Sequence, residues 1–288
     1  MTLADAIRLG RVSNLPTVWS NALAGLALGG GMIPAGPLAL LILALSLAYV
    51  GGMYLNDAFD AKIDAEQRPE RPIPSGAVTL RTVFVAGFAM LAASVAALGV
   101  VGAWTGTGAW PAAAGMLLAA AIVFYDWRHK QNPFGPVVMG VCRVLVYVAA
   151  ALCVTTALPG ALWLGAAALL SHLIGLTYAA KQETLDRIGS FWPIALIAVP
   201  LVYGVVLALH EPAVAIFLIA MASVGAVALK ALRRRGPGDI GFAVTMLIAA
   251  IALLDAMLIA GQGQLTLAVV AALGFPLTLI LQRWVRGT

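Results

Sequence analysis

Long apolar stretches separated by short polar breaks dominate the chain. The stretches cover residues 14–31, 37–57, 81–103, 108–125, 134–156, 160–181, 191–209, 212–231, 239–260 and 263–282. They do not alternate apolar and polar residues with a period of two, so the pattern predicts helices and not the strands of a barrel. An apolar run of about 20 residues is long enough to cross the hydrocarbon core of a bilayer. We therefore expect an all-α, polytopic transmembrane helix bundle.

Composition supports the same interpretation. Hydrophobic residues make up 62% of the 288 positions and charged residues only 10%, whereas soluble domains are about a quarter charged. The chain contains no low-complexity tract, and its longest polar loop lies near 56–79. We expect residues 1–288 to form a single integral membrane domain.

The positive charges predict the orientation. If the spans alternate across the membrane, every Lys and Arg except Arg143 falls on one side, and the loops near 32–36, 104–107, 157–159, 210–211 and 261–262 carry none. The positive-inside rule places the charged side in the cytoplasm, and we expect a bacterial inner membrane protein. The net charge of +5 is then a topology signal that favours contact with membrane lipid, and it needs no nucleic acid partner.

The most charged segment, Asn56 to Gly76, directly follows an apolar run. Asn56, Asp60 and Asp64 recur at i, i+4 and i+8, and Asp57 lies three residues before Asp60. On a helix that continues past the membrane surface these groups share one broad face. Closely stacked carboxylates need a cation, and oxygen ligands favour Mg²⁺, which often bridges to phosphate. Arg68 and Arg71 follow and offer phosphate donors.

This segment resembles the first aspartate-rich motif of the UbiA superfamily of intramembrane prenyltransferases, N-x-x-x-D-x-x-x-D followed by an RPxPSG-type sequence. Asn56, Asp60 and Asp64 match the motif, and the segment 71–76 reads RPIPSG. A second segment, Tyr125 with Arg128, His129, Lys130 and Asn132, is similar to the family's link between its fourth and fifth helices. The resemblance covers about residues 8–200. It implies the UbiA-type fold. Family members have nine helices and this chain has ten apolar stretches, so we expect nine to ten helices.

The second acidic motif departs from the family pattern. Members carry a DxxxD-type pair after a Tyr-Ala, whereas residues 178–186 here read YAAKQETLD, with Gln182 at the first acidic position and Asp186 at the second. Three interpretations stay open: a weakly held second metal, partial replacement of its charge by Lys181, or a different substrate. The number of metals is therefore open.

The resemblance also implies roles for individual residues. The expected Mg²⁺ ligands are Asn56, Asp57, Asp60, Asp64 and Asp186. The expected catalytic residues are Asp60, Asp64, Asp186 and Glu183, the last as a base for the acceptor. The expected substrate contacts are Asn21, Arg68, Arg71, Tyr125, Lys130, Arg143, Tyr178 and Lys181. Tyr54, Tyr125 and Tyr178 either line the allylic group or form an interfacial aromatic belt.

Ionisable residues inside predicted spans form a separate feature. Arg143 lies about two turns into the fifth span, and His172 and Asp255 lie in later spans. Burying a charge in a membrane is costly unless a partner compensates it. A structural Arg143–Asp255 pair and a role for Arg143 in binding a polar acceptor are equally open interpretations.

The resemblance implies Mg²⁺-dependent transfer of a prenyl group from a polyprenyl diphosphate to a polar or aromatic acceptor. Two alternatives stay open: transfer of a phosphosugar or polyol group onto a polyprenyl phosphate, and a non-enzymatic lipid carrier on the same scaffold. The segment GRVSNLPTVWSNALAG and the pair Cys142-Arg143 are also similar to the EboC-type branch of the superfamily, whose acceptor the resemblance does not define.

Overall fold

The computed structural model of the chain describes residues 2–128, 132, 134–181, 192–234 and 236–285. Within these ranges the regular secondary structure is entirely helical. The helices are α1 (Leu3–Leu9), a 3₁₀ turn (Val12–Asn14), α2 (Leu15–Leu28), α3 (Ala35–Phe59), α4 (Ala61–Gln67), α5 (Leu80–Thr105), α6 (Trp110–Arg128), α7 (Gly135–Ala151), α8 (Gly160–Lys181), α9 (Trp192–His210), α10 (Val214–Arg234), α11 (Asp239–Ala249), α12 (Ile251–Ala260), α13 (Leu265–Ala272) and α14 (Gly274–Gln282).

Seven of the described helical segments are long and apolar enough to cross a membrane. They are α3, α5, α6, α8, α10 and the pairs α11–α12 and α13–α14. The predicted all-α membrane bundle is confirmed, whereas the expected nine to ten spanning helices exceed these seven. Helix α2 explains part of the difference, because its 14 residues extend only about 21 Å, short of a hydrocarbon core of about 30 Å. Helix α7 and Ala195–His210 of α9 are apolar but also shorter.

Helix α12 lies in the centre of the bundle. All of its residues, Ile251 to Ala260, are buried, and a helix that is apolar on every side is typical of such a position. It packs against α2, α10 and α13, and α2 in turn packs against α3 and α7. Asp255 is the charged member of this central helix, so its surroundings bear directly on function.

Two glycines allow the helices around the core to approach closely. A Cβ at Gly25 of α2 would lie 2.6 Å from the carbonyl oxygen of Tyr147 on α7. A Cβ at Gly51 of α3 would lie 2.9 Å from the carbonyl oxygen of Gly87 on α5. Small residues at such contacts are a common way to pack helices in membranes. The close α2–α7 contact brings residues of both helices to one wall of an internal cavity.

Candidate active site

The acidic segment lies on one nearly continuous helical surface across the α3–α4 junction. Asp60 separates the two helices but keeps right-handed helical geometry, with φ −82° and ψ −4°. Its N–H donates to the carbonyl of Asn56 at 3.0 Å, and the N–H of Asp64 donates to the carbonyl of Asp60 at 2.9 Å. The helical hydrogen bonding therefore continues through the motif. Asn56, Asp57, Asp60 and Asp64 are all buried, so their polar groups face the protein.

Arg71 joins two of these carboxylates. Its Nη1 lies 3.2 Å from Oδ1 of Asp57 and 2.7 Å from Oδ2 of Asp64. The proline-containing loop turns back to place it there, with Gly76 in the left-handed region at φ +77° and the N–H of Ser75 donating to the carbonyl of Arg71 at 3.0 Å. The structure shows that Arg71 pairs with two carboxylates of the acidic cluster, and its expected contact with substrate phosphate stays a prediction.

Arg11 is a site residue that the sequence analysis missed. Its Nη2 lies 3.0 Å from Oδ1 of Asp57 and donates to Oδ1 of Asn56 at 3.4 Å. Among the residues that the structure describes, it is the non-glycine residue with positive φ, at +40°. Such a conformation costs on the order of 1–3 kcal/mol and is concentrated at functional sites. In the sequence, Arg11 indicates only the side of the membrane on which its segment lies, and its backbone conformation is visible only in the folded chain.

Asp126, at the end of α6, is a second missed residue. It is buried, and its Oδ1 accepts a hydrogen bond of 3.0 Å from Nδ2 of Asn56. Asn56 therefore connects Arg11 to Asp126. The sequence offered one signal for it, an acidic residue directly after Tyr125 at the end of an apolar run.

A cavity of about 420 Å³ opens beside this cluster and continues into the bundle. Its outer end is lined by Arg11, Asn56, Arg68, Arg71 and Asp126. Residues of the 3₁₀ turn, α2, α3, α6, α7, α8, α11 and α12 form the rest of the wall, and most of them are apolar. The lining includes Leu45, Met53, Leu118, Ile122, Met139, Val146, Leu173, Leu176, Val244, Ile248 and Ile251. The site thus combines a polar, arginine-rich end with an apolar interior.

The predicted tyrosines differ in position. Tyr125 lines the cavity, as the allylic-lining interpretation requires. Tyr54 instead donates its hydroxyl to the carbonyl of Ala6 at 3.3 Å and packs against α1. Tyr178 is half-buried on α8 and is not among the residues that line the cavity. Tyr49 was not among the predicted site residues, but it lines the cavity wall about two helical turns deeper than Asn56.

Arg143 lines the cavity at its inner end. Its Nη1 donates to Oδ1 of Asn21 at 2.9 Å, its Nη2 donates to Oγ1 of Thr17 at 3.1 Å, and its guanidinium lies 5.5 Å from the ring centroid of Tyr49. Asn21 is fully buried and does not line the cavity. The structure therefore places Asn21 behind Arg143, and its expected substrate contact stays a prediction.

The carboxyl group of Asp255 accepts three side-chain hydrogen bonds. Its Oδ2 accepts from Oγ of Ser20 at 2.5 Å and from Nδ2 of Asn21 at 2.8 Å, and its Oδ1 accepts from the hydroxyl of Tyr147. Arg143 and Asp255 are thus joined through the amide of Asn21 and not by a direct ion pair. His172 contributes to neither residue: it is buried, with Nε2 at 2.9 Å from the carbonyl of Leu247.

The second acidic motif, with Gln182, Glu183 and Asp186, lies outside the described residues. Lys130, in the link before α7, also lies outside them. The expected roles of these residues stay predictions. Lys181 ends α8, although its side chain is not described. One turn earlier on the same helix, Thr177 and Ala180 line the cavity. The chain thus enters the second motif from the cavity wall.

The oxygen-bearing side chains of the first motif suit a hard cation. Asn56, Asp57, Asp60 and Asp64 offer carboxylate and amide oxygens, the ligand type that Mg²⁺ prefers. In the part of the chain that the structure describes, no group of three or more His, Cys, Asp or Glu residues is arranged to hold a metal ion, and Arg71 lies between Asp57 and Asp64. The donor chemistry fits Mg²⁺, and the ligand set stays a prediction.

Comparison with known proteins identifies the family. The sequence profile of the UbiA prenyltransferase family matches residues 18–257. The chain belongs to the UbiA prenyltransferase family. Similar UbiA folds are known: an apo UbiA homologue from Aeropyrum pernix has a TM-score of 0.64 at 17% identity and covers 86% of this chain and 96% of its own. A homologue from Archaeoglobus fulgidus, bound to GPP and Mg²⁺, has a TM-score of 0.59 at 13% identity, covering 91% and 99%.

Curated relatives within the family match over a shorter region. A digeranylgeranylglyceryl phosphate synthase of Thermococcus gammatolerans is 35% identical over 136 residues, which is 46% of this chain and 47% of the relative. The chain therefore spans about half the length of the curated relatives that it matches. The family match and the similar solved structures confirm the expected UbiA-type fold.

Proposed function

We propose that this chain transfers a prenyl group from a prenyl diphosphate to an acceptor and releases diphosphate. The observation that carries the proposal is the polarity of the cavity. Arg11, Arg68 and Arg71 lie with buried carboxylates at its outer end, and apolar side chains line its interior. This division matches a substrate that is an anion at one end and a hydrocarbon at the other.

The chemistry follows from the same division. The allylic carbon–oxygen bond breaks with its electron pair on the diphosphate, the allylic carbon bonds to the acceptor, and the acceptor releases a proton. Fixed cations stabilise the growing negative charge best where water is excluded. Arg11 and Arg71 are held in place by Asp57, Asp64 and Asn56, so they are oriented before the substrate binds. Bound Mg²⁺ would neutralise diphosphate charge at Asn56, Asp57, Asp60 and Asp64.

Orientation and relatives support the proposal further. The Lys and Arg distribution favours a cytoplasmic outer end, and a bacterial inner membrane is part of the same proposal. A family member from Archaeoglobus fulgidus was solved with GPP and Mg²⁺, and the curated relatives are named for synthesis of a prenylated glyceryl phosphate. The proposed partners are accordingly a prenyl diphosphate, an unidentified acceptor and the surrounding lipid.

The test is binding of geranylgeranyl diphosphate to purified protein with and without Mg²⁺. Asp60→Ala should abolish the Mg²⁺-dependent part of the binding, whereas Glu66→Gln, which changes an exposed acid on the adjacent helix α4, should leave it unchanged. Binding to wild type that is unaffected by Mg²⁺ and by Asp60→Ala would contradict the proposal. A protein that instead binds polyprenyl phosphate would favour the phosphosugar alternative.

A further inference from the structure

The cavity has two polar ends, and the proposed donor contacts lie at the outer one. Arg143 and Tyr49 mark the inner end, and Asn56 belongs to the outer end. Tyr49 and Asn56 lie seven residues apart on α3, a separation of about 10 Å along the helix axis. The outer end already supplies Arg11, Arg68 and Arg71 for a diphosphate. A further guanidinium at the inner end therefore serves a different polar group.

Arg143 retains hydrogen-bonding capacity toward the cavity. It donates to two neutral oxygens, Oδ1 of Asn21 and Oγ1 of Thr17. A guanidinium has more N–H donors than these two contacts use, and the side chain lines the cavity. The ring of Tyr49 covers it at 5.5 Å, which stabilises the cation without using a donor.

The residues behind Arg143 fix its position. Asn21 accepts from Arg143 and donates to Asp255, and Asp255 is held in addition by Ser20 and Tyr147. The carboxyl oxygens thus receive hydroxyl and amide donors and do not contact the guanidinium directly. Asp255 therefore compensates the buried charge of Arg143 through the amide of Asn21. The remaining N–H donors of Arg143 stay available to a ligand in the cavity.

We propose that the inner end of the cavity binds an oxygen-rich acceptor head, with Arg143 donating hydrogen bonds to its oxygens. The proposal rests on the proposed function and adds the substrate class and its position. Hydroxyl, carboxylate and phosphate oxygens share the required chemistry, because each accepts hydrogen bonds from a guanidinium. Asn21 and Thr17 are positioning residues that act through Arg143.

Cys142 provides a local reporter. It lines the same cavity next to Arg143, whereas Cys153 is fully buried and does not line it. In a Cys153→Ala background, the rate at which methyl methanethiosulfonate modifies Cys142 reports on cavity occupancy. The probes are myo-inositol, benzoate and glycerol 1-phosphate, which separate a polyol, a carboxylate and a phosphate.

We expect at least one probe to slow the modification of Cys142. Arg143→Gln should weaken that protection about 10- to 100-fold, the range for losing a hydrogen bond to a charged group. Arg71→Gln is the matched control, since it removes a guanidinium from the outer end of the same cavity, and it should leave the protection unchanged. Arg143→Lys, which keeps the charge, should retain more of the protection of Cys142 than Arg143→Gln does.

The modification rate without probe shows whether each variant keeps its cavity. Protection by no probe, or protection lost in Arg71→Gln but kept in Arg143→Gln, would overturn the proposal. Mg²⁺-dependent binding of geranylgeranyl diphosphate is measured on the same Arg143→Gln protein and should persist. Loss of donor binding in the parent background would count against the proposed function, whereas intact donor binding without probe protection counts against the acceptor site alone.

Discussion

The two ends of the cavity handle buried charge in different ways. At the outer end, charges meet directly: Arg71 contacts Asp64 at 2.7 Å, and Arg11 contacts Asp57 at 3.0 Å. At the inner end, the amide of Asn21 separates Arg143 from Asp255. The direct pairs at the outer end hold Arg11 and Arg71 in place and leave both side chains partly exposed. A mediated pair in the core is held by many neutral contacts and keeps one guanidinium in a fixed orientation.

The largest expected effect is loss of stability from Asp255→Leu. The substitution leaves the donors of Ser20, Asn21 and Tyr147 unmatched and removes the distant counter-charge of Arg143. Breaking such a buried arrangement costs about 3–5 kcal/mol. Thermal unfolding in detergent measures it, with Asp57→Leu at the outer end as the matched comparison. Asp57→Leu should destabilise less, because Arg11 and Arg71 keep 19% and 17% side-chain exposure and can form hydrogen bonds with water. Equal destabilisation by the two substitutions would contradict the distinction between the ends.

An intermediate effect is expected for donor binding at the outer end. Arg71→Gln removes a guanidinium that contacts both Asp57 and Asp64, and affinity for geranylgeranyl diphosphate should fall about 10- to 100-fold. Arg68 is exposed, so Arg68→Gln should cost less, about 1 kcal/mol or below. Isothermal titration of both variants compares them. A larger loss for Arg68→Gln would mean that the Arg71 ion pairs serve folding and not the substrate.

The smallest expected effect is on the stability of Arg11→Gly. Arg11 has φ +40°, which glycine adopts without the penalty, so relief of strain should contribute on the order of 1 kcal/mol. Loss of the contacts with Asp57 and Asn56 should offset this gain, although Arg71 still pairs with Asp57, so the net change in the free energy of unfolding should stay within about 1 kcal/mol. The same loss should weaken donor binding, so donor affinity should fall while the unfolding temperature changes little. A variant that loses stability and keeps full donor binding would show that Arg11 is structural.

The sequence predicted the shared helical surface of the first motif because that information is local. Asn56, Asp60 and Asp64 are spaced to share one helical surface, and the structure confirms that surface across the α3–α4 junction. Arg11 was missed because its contact with Asp57 joins residues 46 positions apart and depends on an unusual backbone conformation. Periodicity along a helix carries no information about such a contact.

For the inner end, the sequence left two interpretations of Arg143 open: a structural pair with Asp255 and a contact with a polar acceptor. Arg143 and Asp255 were recognised as costly inside a membrane, but the link through Asn21 spans 122 residues on one side and 234 on the other. Which helices meet is decided by packing, including the close approach of α2 and α7 at Gly25. The number of spanning helices differed for a simpler reason: α2, α7 and Ala195–His210 of α9 are apolar but shorter than the seven spanning segments.

The most direct test of the two-ended cavity is a structure with Mg²⁺ and geranylgeranyl thiolodiphosphate, in which sulfur replaces the bridging oxygen and slows the reaction. We expect the diphosphate to lie against Arg11, Arg68 and Arg71, the prenyl chain to lie along the apolar wall, and Arg143 to make no phosphate contact. A diphosphate bound to Arg143, with the prenyl chain directed toward Arg71, would contradict it.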